Sequence, residues 1–300
     1  MRGTRATEEA DGGSFAAGIP APALVLVGVT SVQFGAAIAR TLFDDIGPAG
    51  TVMVRIAFAA VMLVLLWRPS LRAHDRADLW LAGAFGLSLA AMNFTFYEAL
   101  DHIPLGAAVT CEFVGPLGVA VFGSRRPLDL VWVAFAAAGI LLLAAPGGSG
   151  LNATGVILAL LAGLWWAAYI LLTARVGRAF PGGTGLALAM VVAGLLVLPF
   201  GIAEGGADLL RPEIIGAGLA VAVLSSLIPY SLELEALRRL PPHVFGVLMS
   251  LEPAAAGLAG LLLLGQVLKA NEWAGMALVI AGSAGATRFA TRATPAPRDA

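Results

Sequence analysis

The sequence predicts an all-α integral membrane protein, with ten transmembrane helices arranged as two inverted five-helix repeats around a central cavity. Three observations carry that expectation. Apolar runs of bilayer-crossing length recur along the chain, cationic residues fall on alternate connections, and one short phrase is written twice. Of 300 residues, 59% are hydrophobic and 12% charged, with a mean hydropathy of +0.89. A soluble domain carries about 25% charged residues. This chain cannot coat itself with polar side chains, so its outer solvent is expected to be lipid. The net charge of −1 argues against a nucleic-acid partner. The single cysteine, Cys111, excludes an intramolecular disulfide framework and reads as a small buried apolar residue.

The expected spans are, in order, 23–39, 49–67, 79–97, 104–122, 128–145, 153–173, 185–203, 213–234, 243–264 and 272–289. Each approaches the ~20 residues that a helix needs to cross a hydrocarbon core. Transmembrane strands would show ~9–11 alternating residues, and no such alternation is visible. The connections are short, so no soluble domain fits between spans. Residues 1–20 and 291–300 are small, polar and Pro/Gly-rich, and are expected to be disordered tails. Arg2 and Arg5 precede the first span, but Glu8, Glu9 and Asp11 interrupt any basic leader. The first span is therefore expected to be retained.

With the N-terminus in the cytoplasm, fourteen of the eighteen Lys and Arg residues fall on inside segments. Arg40, Arg211 and Lys269 fall outside, and Arg55 lies within a span. This positive-inside bias puts both termini in the cytoplasm and makes the span count even. Glu98-Ala99-Leu100-Asp101-His102-Ile103-Pro104 recurs as Glu235-Ala236-Leu237-Arg238-Arg239-Leu240-Pro241, 137 residues on, and the same offset carries Pro116 onto Pro253 and Gly123 onto Gly260. The repeats are read as 21–146 and 152–290. Five spans per repeat require the second copy to cross in the opposite direction, a recurring architecture of secondary transporters. Asp101-His102 then lies outside and Arg238-Arg239 inside.

Polar residues within spans are the candidates for function, because a charged group at bilayer depth costs at least ~2.5–3.5 kcal/mol. Arg55, seven residues into the second run, is expected to face the bundle interior and to need an acidic or carbonyl partner, or to snorkel to the surface. Glu112, Glu233 and Glu252 lie in the fourth, eighth and ninth spans. Glu112 sits four residues before Pro116, whose missing N–H frees the carbonyl of residue 112 and kinks the helix. Glu252 directly precedes Pro253, where helical geometry is disfavoured. Glu233, Tyr230 and Ser226 form one polar stripe at helical spacing. A buried glutamate can carry a proton or make a structural helix-to-helix hydrogen bond. Asn93 with Tyr97, Trp166 with Tyr169 and Thr173, and the lone Gln33 can line a cavity or pack between helices. Ala254-Ala255-Ala256-Gly257 and Gly260 read as close helix packing. The sequence carries no phosphate loop, H-E-x-x-H or paired-cysteine motif, and its three histidines lack metal-ligand spacing. Neither an enzyme, a cofactor nor a metal site is expected.

Several stretches resemble the EamA branch of the drug/metabolite transporter superfamily, and within it the threonine/homoserine exporter subgroup. They are Ala91-Met92-Asn93-Phe94, Ile103-Pro104-Leu105-Gly106, Glu112-Phe113-Val114-Gly115-Pro116-Leu117, Ser124-Arg125-Arg126-Pro127, 227–233 and 245–253, together with Gln33 and Arg55. The resemblance spans about residues 24–290. It implies ten helices in two inverted repeats around a cavity, and ion-driven export of amino acids or related metabolites. The chain departs from the family pattern at Gln266, where Leu-Gly-Glu is common, and at Glu235, where the pattern is not acidic.

The functional expectation is a bacterial inner (plasma) membrane transporter exporting a small zwitterionic substrate against protons. Glu112, Glu233 and Arg55 would bind substrate or proton, with Gln33, Asn93, Tyr97, Trp166, Tyr169 and Tyr230 around them and Pro116 and Pro253 as flexing points. The alternatives are a broader drug/metabolite exporter or importer, or a non-transporting membrane scaffold. The lipid bilayer is the expected surrounding partner, and oligomeric state carries no sequence signal.

Overall fold

The computed structural model describes residues 19–70, 74–123, 129–143, 152–240 and 242–290, and no strand occurs among them. The predicted tails, and several arginines counted toward orientation (Arg2, Arg5, Arg72, Arg125, Arg126, Arg292 and Arg298), lie outside the described residues. The helices are α1 Ala21–Arg40, α2 Phe43–Trp67, α3 Arg76–His102, α4 Leu105–Glu112, α5 Val114–Gly123, α6 Asp129–Leu143, α7 Ala153–Ala179 and α8 Thr184–Gly205. They continue as α9 Pro212–Ala222, α10 Ile228–Arg239, α11 Pro242–Met249, α12 Glu252–Leu264 and α13 Ala270–Ala290.

Among the described residues, seven helices are long and apolar enough to cross a membrane: Ala21–Arg40, Phe43–Trp67, Arg76–His102, Leu105–Phe122, Ala153–Ala179, Thr184–Leu210 and Val244–Leu264. Leu130–Leu143 and Pro212–Leu227 are shorter apolar helices. The other predicted runs fall short for visible reasons. The fifth is flanked by residues outside the described set, and the eighth is divided by a π-helical turn, Val223–Leu227. The tenth carries Glu272, Ser283 and Arg288.

Helix boundaries follow from local chemistry. Asp75 accepts a hydrogen bond from the Asp78 N–H at 2.8 Å and starts α3, and Asn152 accepts one from Thr154 N–H at 2.8 Å and starts α7. Such caps satisfy otherwise orphaned N–H groups. Gly265, at φ 63°, ends α12 with the Gln266 N–H donating to Gly260 O at 3.0 Å, a left-handed helix stop. The Gln266 side chain then serves another element: its Oε1 accepts from the Leu105 N–H at 3.0 Å, capping α4. α2 is broken at Gly47 (φ 68°), followed by Pro48. Its inner part is capped from α8, since Glu204 Oε2 accepts from Ala49 N–H at 2.6 Å and from Gly50 N–H at 3.4 Å. A side chain at Gly47 would run into the Glu204 carboxylate.

The duplicated phrase folds the same way twice. α3 ends at His102 and α10 at Arg239, and the next residue caps each: Ile103 N–H donates to Ala99 O at 3.0 Å and Leu240 N–H to Ala236 O at 2.8 Å. The following half-helices, Leu105–Glu112 and Pro242–Met249, begin and end at the same 137-residue offset. Each is interrupted shortly before the second half-helix, at Phe113 and at Ser250–Leu251. The cause is Pro116 and Pro253, which leave the fourth preceding carbonyl without its N–H donor.

The helices pack across the two halves: α2 against α8, α3 against α7 and α8, α6 against α13, α1 against α10 and α12, and α4 against α12 and α7. The main buried cluster draws on α2, α3, α4, α7 and α8, while Leu24, Val25, Val29, Leu232 and Ala236 form a second one between α1 and α10. Large apolar side chains such as Leu65, Leu66, Phe122, Leu141, Leu164 and Leu262 remain exposed along the outside. Water would not tolerate so extended an apolar exterior, whereas lipid favours it.

Candidate functional site

Arg55 is the focus of the interior. It projects from α2 and is half-buried. Its Nη1 donates to Asn93 Oδ1 at 2.8 Å and to the Tyr97 hydroxyl at 3.2 Å, both on α3. Its guanidinium carbon lies 5.5 Å from the centroid of the Tyr97 ring. Asn93 Nδ2 donates to Leu89 O at 2.9 Å, which orients the amide so that its oxygen faces Arg55. Asn93 and Tyr97, one turn apart, therefore do share the face expected of them, and Arg55 is what they face. Among the described residues, no glutamate hydrogen-bonds to Arg55, and its partners are neutral oxygens.

The third ligand comes from the π turn. Arg55 Nη2 donates to Ser225 O at 3.4 Å. Within the turn, Ile228 N–H donates to Val223 O, five residues back, and residue 229 is a proline without an N–H. The carbonyls of Leu224 and Ser225 thereby lose their α-helical donors, the N–H groups four residues on. Each unsatisfied backbone group inside a bilayer costs several kcal/mol. Here α1 and α2 supply the replacements: Ser31 Oγ donates to Leu224 O at 2.7 Å, and Arg55 to Ser225 O. Gly35 lets α1 approach closely, since a side chain there would strike the Ser225 hydroxyl.

Glu112 is the last residue of α4 and is 9% exposed. It lies within electrostatic reach of Arg55. Gly163 of α7 rests against its carbonyl, and Gly115 rests against the carbonyl of Gly163, so neither position admits a side chain. Glu252, 6% exposed, begins α12 and is within electrostatic reach of both Glu112 and Glu233. Glu233 on α10 packs against Gly28 of α1. No hydrogen bond joins any of these three carboxyl groups to another described residue. Gln33 Oε1, Ser225 Oγ and Ser226 Oγ are also buried without a hydrogen-bond partner among the described residues.

The other expected residues are distributed as follows. Trp166 packs edge-on against Phe113 (centroids 5.1 Å apart), and Tyr169 stacks on Phe85 at 5.0 Å. Both rings brace α7, against the α4–α5 break and against α3. Tyr230 lies on α10, and its side chain is outside the described groups. Glu235, read as a span-end residue, is ion-paired with Arg239 one turn on. Pro116 and Pro253 sit in α5 and α12 just beyond the two breaks. Among the described residues, no group of three or more His, Cys, Asp or Glu is placed to hold a metal ion.

Sequence reasoning missed the Ser225 carbonyl, Ser31 and the Glu204 cap. A signal for the first was available. The proline rule that singled out the carbonyl of Glu112 from Pro116 singles out Ser225 from Pro229. Ser31 and Glu204 act across 193 and 155 residues respectively, a separation that no local pattern reveals.

A multi-span helical bundle with an interior arginine and three interior carboxyl groups defines a membrane protein with a polar interior. The chain belongs to the EamA-like transporter family, whose model matches residues 153–288. It is 41% identical over 269 residues to the threonine/homoserine exporter RhtA of Escherichia coli K12, covering 88% of this chain and 90% of that one. The match to RhtA of Salmonella typhimurium LT2 has the same identity and coverage. The uncharacterized inner membrane transporter YedA of Escherichia coli K12 is 26% identical over 241 residues, 76% of this chain and 78% of that one. A solved crystal structure superposes with a TM-score of 0.60 at 19% identity, over 90% of this chain and 99% of the other, and shares its fold.

Proposed function

We propose that the protein is a secondary active transporter of the bacterial inner membrane that exports threonine- or homoserine-like amino acids in exchange for protons. One observation carries the substrate class: Arg55 is held by neutral oxygens alone, with Glu112 in electrostatic reach. Among the described residues, three of the guanidinium's five N–H groups have protein partners, which leaves Nε–H and one Nη2–H for a ligand. These suit a carboxylate, which accepts two parallel hydrogen bonds from arginine. Glu112, without a hydrogen-bond partner, suits an ammonium group or a proton. A ligand bearing both charges, an amino acid, satisfies both residues. The 41% identity to a threonine/homoserine exporter supports the same class.

Glu233 and Glu252 extend the acidic path away from Glu112, and Gln33, Asn93, Tyr97, Tyr230, Trp166 and Tyr169 shape the surroundings. Ten spans in two inverted repeats is the architecture that the local duplication supports. The packing supports it too. Exchanging the halves maps α3·α7 onto α1·α10, α4·α7 onto α1·α11 and α5·α7 onto α1·α12, and leaves α2·α8 and α6·α13 in place. With five spans in each half, a two-fold axis in the membrane plane produces that exchange. Both termini are cytoplasmic in this arrangement, as the charge bias requires. The breaks before Pro116 and Pro253 let the half-helices rock as the cavity opens to either side. Uphill export requires substrate and proton to bind the two states with different affinities.

The test is uptake of labelled threonine into inverted vesicles, with and without an imposed pH gradient. Gradient-dependent uptake by the wild type, lost in Glu112→Gln while gradient-independent exchange persists, is the expected result. Uptake indifferent to the gradient removes proton antiport, and Glu112→Gln vesicles that behave like wild type remove Glu112 from the coupling.

A further inference from the structure

The π turn is a rare feature whose consequences concentrate on Arg55. π turns within α-helices occur frequently at functional sites. Here the turn presents two successive carbonyls, Leu224 O and Ser225 O, to two different neighbouring helices. Pro229 keeps the second carbonyl available, since a residue with an N–H at that position would donate to it one helical turn back. Ser31 ties the first to α1 at 2.7 Å, and α1 lies against the turn at Gly35, where a side chain would strike Ser225, and against Pro229 at Gly28. Arg55 is then gripped from two sides, by Asn93 and Tyr97 of α3 and by Ser225 O.

We propose that Ser31 and Pro229 are positioning residues for substrate binding: they hold the π turn so that the Ser225 carbonyl sets the guanidinium of Arg55 with its free N–H groups toward the ligand carboxylate. This rests on the reading of Arg55 as the carboxylate-binding group. Neither residue touches the ligand. They act through one carbonyl, so their loss misdirects Arg55 without removing its charge.

The kinetic test uses inverted vesicles and labelled threonine. Pro229→Ala restores an N–H that competes for Ser225 O, and Ser31→Ala releases Leu224 O. A fault confined to substrate binding raises KM with kcat unchanged, so each is expected to raise KM at least about fivefold and to leave the maximal rate within about twofold. Ser31→Thr keeps the hydroxyl and restores the wild-type KM. Unchanged KM in both Pro229→Ala and Ser31→Ala, or a loss confined to the maximal rate, overturns the proposal.

A second readout needs no transport. In NMR spectra of the detergent-solubilised protein with isotope-labelled arginine, the resonance missing from Arg55→Lys identifies Arg55. That resonance is expected to shift in Pro229→Ala and Ser31→Ala and to return in Ser31→Thr, and an unmoved resonance overturns the proposal. If the wild type carries no amino acid, the functional reading fails, and the guanidinium resonance alone decides the positioning.

Discussion

Among the described residues, the hydrogen-bond partners of Arg55 offer oxygen atoms without offering negative charge. That distinction matters for binding. An arginine neutralised by a protein carboxylate has little left for a ligand, whereas one held by an amide, a phenol and a carbonyl is oriented but uncompensated. Asn93→Asp tests this directly by placing a carboxylate where Oδ1 now lies, 2.8 Å from Nη1. The expected outcome is a KM for threonine raised more than about tenfold, because a charge-assisted bond is worth about 1.5–3 kcal/mol and now competes with the substrate. Thermal stability should hold or rise. A KM equal to that of the wild type in vesicle assays would remove Arg55 from carboxylate recognition. Arg55→Lys keeps the charge but loses the fork, and should also raise KM, by roughly tenfold or more.

The elements around the site are broken helices, and two of the breaks meet a residue from a distant helix. The kink of α2 at Gly47 is capped by Glu204 from α8. Removing that cap with Glu204→Ala should destabilise the protein by about 1 kcal/mol, the usual worth of an N-cap, visible as a lowered melting temperature in detergent. An unaltered melting temperature would show the cap to be dispensable. The α4–α5 break depends on Gly163, whose missing side chain makes room for the Glu112 carbonyl. Overpacking of this kind costs about 1–3 kcal/mol. Gly163→Val is therefore expected to lower stability by that amount and to displace Glu112, with transport falling more than stability alone explains. Transport per folded molecule equal to wild type would separate the break from the function.

At the scale of the whole molecule, the two halves pair across one another rather than folding side by side. Inversion makes a specific spatial claim: Asp101 and Arg238, equivalent in the repeat, lie on opposite sides of the membrane. With Cys111 replaced, single cysteines at these two positions should react differently with an impermeant maleimide. Asp101→Cys is expected to label in intact cells and Arg238→Cys only after permeabilisation. Labelling of both from one side would refute the inverted arrangement.

By itself the sequence determined the membrane-spanning helical class, the duplicated phrase with its proline-broken half-helices, and which interior residues could not be tolerated by lipid. Those follow from composition and short-range rules: an apolar run of bilayer length has few alternatives, and a proline withholds its N–H wherever it sits. Even the spacing of Asn93 and Tyr97 marked a shared face. What faces that face was decided only by tertiary structure. Arg55 meets α3 and the Ser225 carbonyl, Glu204 caps α2, Gln266 caps α4, and Glu252 lies within reach of Glu112 and Glu233. These are meetings of groups on separate helices. They depend on how helices of opposite halves are laid together, and the periodicity of a single helix carries no information about its neighbour.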